Sequence, residues 1–122
     1  MSLVDNTMMQ NLTRALDLTA LRQRVVSENI ANIDTPGYKT RDIDFAAEFR
    51  RALSQDESDA AAVPVQVRTL RGLEERPDGN NVSIDRESLL MAQNQLQFQT
   101  GVAVLRSEFN RLQLAISGGS NS

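Results

Sequence analysis

Two aspartates, Asp42 and Asp44, have the spacing at which carboxylates can share acid–base chemistry or a cation. Nothing around them indicates burial or a basic partner, so a solvated turn is the favoured interpretation. The stretch that starts at Asp78 opens like a calcium-binding loop. Its sixth and twelfth positions are Ser83 and Leu89, where that loop needs a glycine and a bidentate glutamate. Neither group predicts a metal or catalytic site.

The composition excludes most catalytic classes. The chain of 122 residues has no His and no Cys, which removes cysteine nucleophiles, serine–histidine pairs and the usual zinc ligands. It also has no G-x-x-x-x-G-K loop for a nucleotide. We therefore expect no enzyme, no metal, no cofactor and no small-molecule substrate. A formal net charge of -3 without a cluster of Lys or Arg argues against nucleic acid as a partner.

The N-terminal stretch MSLVDNTMMQ has no basic region followed by an apolar region, so we expect no cleaved secretory signal peptide. No apolar run approaches the roughly 20 residues that a membrane-spanning helix needs. If the protein leaves the cytosol, we expect it to use another route.

The most specific motif is the polar segment SENIANIDTPGYKTRD at residues 27–42, which follows a helical pattern. Pro36 and Gly37 suit the two central positions of a type II turn, and Pro36 keeps Thr35 out of the helical conformation. The motif therefore predicts a helix that ends in a well-formed turn. As a functional hypothesis, this turn presents its edge to a neighbouring subunit.

Three side chains are expected to hold the turn against the helix. Asn29 and Asn32 lie on nearly the same side of the helix, because they are three residues apart. Their amides can bond the free carbonyls of the helix end or the turn that folds back. Tyr38, the only tyrosine, can lay its ring on the helix while its hydroxyl reaches a polar neighbour.

The C-terminal part carries apolar residues at alternating intervals of four and three, which is the a/d pattern of a coiled-coil helix. The pattern predicts a helix over residues 84–117, with Ser83 as its N-cap and Gly118 and Gly119 at its end. The predicted seam consists of Met91, Gln95, Phe98, Val102, Leu105, Phe109, Leu112 and Ile116.

The N-terminal part predicts a second long helix over residues 7–33. Its middle is polar at Thr19 and Gln23, which leaves the register of the helix pair open. A neighbouring stripe widens the apolar face, so we expect this helix to contact two partners. The main seam consists of Leu12, Leu16, Thr19, Gln23, Val26, Ile30 and Ile33, and the second stripe of Leu18, Leu21 and Val25.

Residues 34–82 connect the two helices and are poor in aliphatic residues. The predicted pieces are the turn, a short helix with Phe45, Phe49 and Leu53 on one face, a mobile linker over 54–62 and a short strand over 63–70. The expected fold is a single, mainly α domain over residues 1–122. In it, two long terminal helices pair as an antiparallel coiled coil, with a short irregular, β-containing middle segment.

The stretch VVSENIANIDTPGYK at residues 25–39 resembles the N-terminal signature of bacterial flagellar axial proteins, the rod and hook group. The continuation RDIDF, and GNNV leading into MAQNQLQFQ, resemble the short proximal-rod members of the flagellar basal-body rod protein family. The resemblance covers about residues 10–53 and 78–117.

This resemblance implies a structural subunit of the proximal rod that polymerises through its terminal helices. It implies export by the flagellar type III apparatus without cleavage, and a location in the periplasm-spanning rod. The implied partners are other rod subunits, the basal-body base at the inner membrane and the export gate. Phe45 and Phe49 match the Phe-x-x-x-hydrophobic segment that this gate reads. The candidate assembly residues are Leu12, Leu16, Val26, Asn29, Ile30, Asn32, Thr35, Pro36, Gly37, Tyr38, Met91, Phe98, Val102, Leu105, Phe109, Leu112 and Ile116.

The helical patterns alone leave one alternative open, a soluble coiled-coil adaptor that forms a closed oligomer. Such an adaptor has no need of the specific turn over residues 34–38. A rod subunit, in contrast, is expected to keep its apolar stripes partly unpaired until subunits stack along an axis.

Overall fold

A computed structural model gives the chain as two long helices with a region of short elements between them in sequence. It describes residues 3–54 and 64–120, with side chains from 7 to 54 and from 64 to 118. The expected mainly α fold is confirmed. In chain order the elements are α1 (Leu3–Ala31), β1 (Arg41–Asp42), α2 (Phe45–Ser54), β2 (Arg68–Thr69) and α3 (Ile84–Ser120).

The two long helices, α1 and α3, run antiparallel. Asn29, near the C-terminal end of α1, bonds Glu87 at the start of α3. Leu16, about halfway along α1, lies against Gly101 in the middle of α3. With 29 and 37 residues, the helices are about 44 and 56 Å long. The predicted antiparallel pairing is therefore confirmed.

The helix α3 begins where the sequence predicts and ends later. The Arg86 amide donates to the Ser83 hydroxyl at 3.3 Å, as expected for the N-cap, and Ile84 is the first helical residue. The predicted end at Gly118 is wrong, because α3 continues to Ser120. Ser117 and Gly118 are exposed, so water can satisfy carbonyls in this part of the helix without a left-handed glycine.

The helix α1 spans Leu3–Ala31 rather than the predicted 7–33. At its end, the Ile33 amide donates to the Ile30 carbonyl at 3.2 Å, three residues back instead of four. The backbone thus tightens just ahead of Pro36, which cannot continue a helix.

The aliphatic core is small and lies at one end of the helix pair. Among the described residues, the buried apolar side chains are Leu18, Val25, Val26, Ile43 and Val82. Two of them belong to the second stripe of α1, which confirms that its apolar face is wide. Nine polar or charged residues are buried beside these five. Hydrogen bonds must therefore define much of the shape.

The short helix α2 packs on α1. Phe45 and Phe49 stack with their ring centroids 6.1 Å apart, and both rings are half-buried. Arg14 of α1 donates from Nη1 to the Ala52 carbonyl at 2.9 Å. This bond satisfies one of the carbonyls that the end of a helix leaves free.

The strand predicted over residues 63–70 is much shorter in the structure. Only Arg68–Thr69 forms a strand, paired antiparallel with Arg41–Asp42. Pairing stops there because β1 has only two residues before the chain turns into α2. The register of this strand pair sets Arg41 opposite Thr69 and Asp42 opposite Arg68.

The linker predicted over residues 54–62 lies outside the described residues, except for Ser54.

The helix α3 faces α1 with a different line of residues from the predicted seam. Its inward line is Glu87, Asn94 and Gly101, spaced seven apart, and the first two are buried. Phe98 of the predicted seam is 42% exposed. The helices come so close at Gly101 that a Cβ atom there would lie 2.6 Å from Leu16 Cδ2. The line of α3 residues that contacts α1 is therefore shifted by about one residue from the predicted seam.

This close approach predicts energetic coupling between positions 101 and 16. In a Leu16→Ala background, we expect Gly101→Ala to stabilise the chain by about 1 kcal/mol, because alanine favours the helix. In the wild-type background, displacement of the Leu16 side chain should remove most of that gain. Urea unfolding of the double-mutant cycle measures the coupling. An equal gain in both backgrounds would show that position 101 does not limit the approach of the helices.

Candidate functional site

The polar segment singled out in the sequence folds into a joint at the closed end of the helix pair. We define the joint as residues 28–43 and 75–87, which include the end of α1, the turn, β1, the loop before α3 and the first turn of α3. Six of the nine buried polar residues lie in it, namely Asn29, Thr40, Asp42, Asn80, Asn81 and Glu87.

Asn29 is fully buried and uses both ends of its amide. Its Nδ2 donates to the Arg41 carbonyl at 2.8 Å and to Glu87 Oε2 at 3.1 Å. Its Oδ1 accepts from the Arg41 amide at 3.1 Å and from the Tyr38 hydroxyl at 3.2 Å. One side chain thus ties α1 to the segment after the turn and to α3. The predicted reach of the Tyr38 hydroxyl to a polar neighbour is confirmed.

The turn after α1 has the predicted geometry. Gly37 has a φ of 75°, and the Tyr38 amide donates to the Thr35 carbonyl at 3.2 Å, as in a type II turn. Asn32 Nδ2 donates to the Glu28 carbonyl at 2.8 Å, and its Oδ1 accepts from the Thr35 hydroxyl at 3.1 Å. Asn32 therefore caps the helix end and holds the turn, as predicted.

Asn80 is a central residue of the joint that sequence reasoning missed. Its Nδ2 donates to the Asn32 and Thr35 carbonyls at 2.9 and 2.8 Å. Its Oδ1 accepts from the Val82 amide at 2.8 Å. Asn80 therefore clamps the end of α1 to the loop that precedes α3, across 48 residues of sequence.

Asn81 completes the clamp and was also missed. Its Oδ1 accepts from the Thr40 amide at 2.6 Å, and its carbonyl accepts from the Thr40 hydroxyl at 3.2 Å. Its own amide donates to the Tyr38 carbonyl at 3.3 Å. The available signal was the doubled asparagine two residues before the N-cap Ser83 of α3.

Two glycine turns pack against each other at the tip of the joint. The Gly37 amide donates to the Asp78 carbonyl at 2.9 Å. Gly79 has a φ of 84°, and a Cβ atom there would lie 3.5 Å from Gly37 Cα. Lys39 Nζ donates to the Gly79 carbonyl and pairs with Glu75 at 2.8 Å. The loop that opens like a calcium site thus serves to close the turn.

Asp42 is buried, so the solvated turn expected for it is wrong. Arg22 donates to both of its carboxylate oxygens at 3.0 Å, and Arg86 Nη2 donates to Oδ2 at 3.1 Å. Arg86 also pairs with the buried Glu87 at 2.6 Å. This charge cluster joins α1, β1 and α3, and each buried carboxylate in it has a cationic partner.

The surroundings of Asp42 set its titration. Burial by itself raises the pKa of this carboxyl, but the Arg22 hydrogen bonds, the Ile43 amide, the charge of Arg22 and the Arg86 hydrogen bond together outweigh it. The pKa of Asp42 therefore lies below its ordinary value of 3.8. Asp44 is exposed and instead caps α2, where its Oδ1 accepts from the Ala47 amide at 3.2 Å.

The candidate assembly residues differ widely in exposure. Val26 and Asn29 are buried, and the half-buried ones are Leu12, Leu16, Ile30, Asn32, Tyr38, Met91, Val102, Leu105 and Leu112. The exposed ones are Thr35, Pro36, Gly37, Phe98, Phe109 and Ile116. Sequence reasoning missed Leu89, Leu96 and Leu114, which are 59%, 65% and 72% exposed. The signal was the seven-residue spacing of the first two.

The joint has a structural role, because its side chains hold segments of the chain together. Within residues 3–54 and 64–120, no group of three or more acidic side chains could hold a metal ion. In the same ranges, no helix is long and apolar enough to cross a membrane. The side chains of the joint bond mainly to each other and to backbone, so the arrangement fixes the geometry of the two helices.

The chain is similar to flagellar rod proteins. The family model described as "Flagella basal body rod protein" matches residues 9–39. The flagellar basal body rod protein FlgB of Salmonella typhimurium is 36% identical over 124 residues, which cover 87% of this chain and 90% of the relative. FlgB of Bacillus subtilis is 33% identical over 133 residues, which cover 98% of this chain and 99% of the relative. FlgB of Escherichia coli is 35% identical over 124 residues, which cover 87% of this chain and 90% of the relative.

The lowered pKa of Asp42 predicts an acid-sensitive joint. The unfolded chain binds the proton more tightly than the folded chain, so the stabilisation is present above the ordinary carboxyl value and is lost as pH falls through the folded pKa. Asp42→Asn should therefore lower Tm clearly at about pH 7, and this difference should shrink progressively as pH falls below 3.8 and through the folded pKa. Asp44→Asn, which keeps the cap of α2, controls for the loss of one charge. A Tm difference for Asp42→Asn that stays constant with pH would contradict this assignment.

The bonding of Asn29 predicts a large loss on truncation. Asn29→Ala leaves buried groups of Arg41 and Glu87 without partners, at about 1–3 kcal/mol for each group. We expect urea unfolding to show a loss of at least about 2 kcal/mol. Asn32→Ala is the matched control. The hydrogen-bond partners of Asn32 lie near water, so this variant should lose about 1 kcal/mol or less of its free energy of unfolding. Similar losses for the two variants would count against a joint centred on Asn29.

Proposed function

Because the chain belongs to the flagellar basal body rod protein family, we propose that it is a structural subunit of the proximal rod that assembles through its terminal helices. The observation that carries this proposal is the similarity to FlgB proteins over most of the chain, including both long helices. The proposal includes a non-catalytic role, which the lack of His and Cys supports.

The exposure of apolar side chains along α3 supports assembly as its role. Phe109 and Ile116 of the predicted seam are 52% and 66% exposed, and Leu114 is more exposed still. Fully burying one such side chain stabilises by roughly 1.5–3 kcal/mol. Neighbouring subunits that cover these residues would gain that free energy, which a single chain leaves unused.

The turn of the joint is proposed as a second contact with a neighbour. Thr35, Pro36 and Gly37 are exposed at its edge. Hydrogen bonds with the side chains of Asn32 and Asn80 hold the conformation of this turn. A rigid, preorganised edge loses little conformational entropy when a partner binds to it.

We further propose that the chain reaches the periplasm-spanning rod through the flagellar type III export apparatus. Its partners there would be other rod subunits and the basal-body base at the inner membrane. Phe45 and Phe49 are the candidate segment for the export gate. Both rings are half-buried against each other in the folded chain. A gate that reads them would therefore bind the chain before α2 folds onto α1.

A closed adaptor and a rod subunit differ in how they associate. Sedimentation velocity over a range of concentrations separates the two functions. The purified rod subunit should remain monomeric or grow only with its partners, whereas an adaptor would saturate at one defined size.

Complementation tests the function directly. In a strain without its proximal-rod subunit, we expect the wild-type chain and Phe109→Leu to restore swimming and Phe109→Asp to fail, because a carboxylate cannot be buried against an apolar neighbour. The Tm of the isolated Phe109→Asp chain should stay within about 3 °C of wild type, since the side chain is exposed. Swimming restored by Phe109→Asp would contradict the role of this face, and failure of the wild-type chain would contradict the rod function itself.

A further inference from the structure

A groove of about 430 Å³ lies beside the middle of the helix pair, where α1 and α3 meet the start of α2. Leu12 and Leu16 of α1, Leu96 and Val104 of α3, and Phe45 of α2 contribute to its walls. None of the described residues that line it is an Asp, Glu, Lys or Arg. Leu96 is 65% exposed, so the single chain leaves this apolar groove open to solvent.

The α3 wall of the groove belongs to a longer charge-free stretch. Residues 88–105 include no Asp, Glu, Lys or Arg, and most of them are exposed. Because 24% of the chain is charged, 18 average residues would include about four charges. An exposed helix normally carries charged groups on its solvent side, and charged residues are depleted where a surface is buried against a partner. The stretch is therefore a candidate contact surface.

The end of the helix pair that is far from the joint is also free of charge. Residues 112–120 of α3 and residues 7–13 of α1 include no Asp, Glu, Lys or Arg. Leu114 and Ile116 are 72% and 66% exposed. This end thus presents apolar side chains to solvent, and no charged side chain of these segments would oppose their burial.

At this end α3 projects beyond α1. Leu16 lies against Gly101, so in the antiparallel pair Leu3, the first described residue of α1, faces about position 114. The helix α3 continues to Ser120. About six residues, or roughly 9 Å of helix, therefore have no described residue of α1 opposite them.

A contact between the projecting end and the groove can repeat from copy to copy. The two surfaces lie at different levels of the helix pair, so the end of one copy can occupy the groove of the next while its own groove stays free. Such a heterologous contact can continue along an axis, whereas a contact of the charge-free stretch with itself would close a dimer. A subunit of an axial rod needs the first kind of contact.

We propose that the groove is the docking site for the projecting end of α3, residues 112–118, of a second copy of this chain. The inference rests on the proposed function and adds the two surfaces that meet. Leu114 enters the groove, because it is the most exposed of the large apolar side chains in the described parts of the chain. A charged occupant would be buried there without an opposite charge.

One contact of this kind is weak by itself. Residues 112–118 span only about 10 Å of helix. A stable interface between two proteins buries about 1,200–2,000 Å². The purified chain should therefore remain monomeric, and the contact should form in the rod, where further contacts hold the copies together.

Engineered cysteines test the contact, because the chain has none of its own. In the variant Leu96→Cys, Leu114→Cys the two positions lie on one helix, about 27 Å apart. A disulfide needs Cα atoms within about 7 Å, so a bond between the two positions must join two chains. Rods from the complemented strain are oxidised and analysed on a non-reducing gel. We expect a ladder of dimers and longer products from the double variant, and only monomer from either single-cysteine variant.

Three results would overturn the proposal. They are rods of the double variant without interchain products, dimers from a single-cysteine variant, and a product that joins position 114 to a different rod protein. Failure of the wild-type chain to complement would instead contradict the proposed rod function. If the wild-type chain complements and any of the three results is found, only this inference fails.

A second test needs no cysteine. In the complemented strain, Leu114→Asp should lose swimming and Leu114→Met should keep it, because the groove can bury a thioether but not a carboxylate. The Tm of the isolated Leu114→Asp chain should stay within about 3 °C of wild type, since this side chain is exposed. Swimming restored by Leu114→Asp would overturn the proposal and leave the rod function intact.

Discussion

The structure depends on one constraint: the polar groups buried in the joint must bond to one another. Only five apolar side chains are buried in the described parts of the chain, too few to define a shape by themselves. Asn29 and Asn80 instead use their amides to link segments that are 12 to 58 residues apart in sequence. Such bonds are directional, and a buried polar group that is left without a hydrogen-bond partner lowers the stability of the fold. The joint is therefore specific in geometry although its apolar core is small.

The rest of the helix pair follows from that constraint. The joint fixes where α3 starts relative to α1, and Gly101 lets the helices approach closely farther along. Beyond this point two helices alone cannot enclose their apolar residues, because each helix has a second side that faces solvent. Phe109 and Leu114 are exposed for this reason. A surface of this kind suits a subunit that stacks with others in the proposed rod, where neighbours complete the packing.

The sequence predicted the features that arise from local chemistry. The two long helices follow from heptad spacing, and the turn follows from Pro36 and Gly37, whose backbone preferences are strong. The cap at Ser83 was likewise readable. The specific motif around Asn29 also predicted the family correctly.

Features that depend on distant residues could not be predicted. The Asp42 carboxylate is paired with Arg22 and Arg86, 20 residues before it and 44 after it, and no local pattern encodes such a meeting. The inward face of α3 was also missed by about one residue. A heptad count favours large apolar side chains, whereas the closest contact is made at Gly101, which has no side chain at all.

Hydrogen exchange on the isolated chain most directly tests the central claim. The claim is that the joint is stable in the single subunit, whereas the helix halves far from the joint become stable only when neighbouring subunits pack on them. The backbone amides of Asn81, Glu87 and the end of α1 should be protected up to the global free energy of unfolding. Amides in α3 beyond Leu105 should exchange orders of magnitude faster, and should become protected when the subunit is incorporated into rods. Uniform protection along the whole of α3 in the isolated chain would contradict this division of roles.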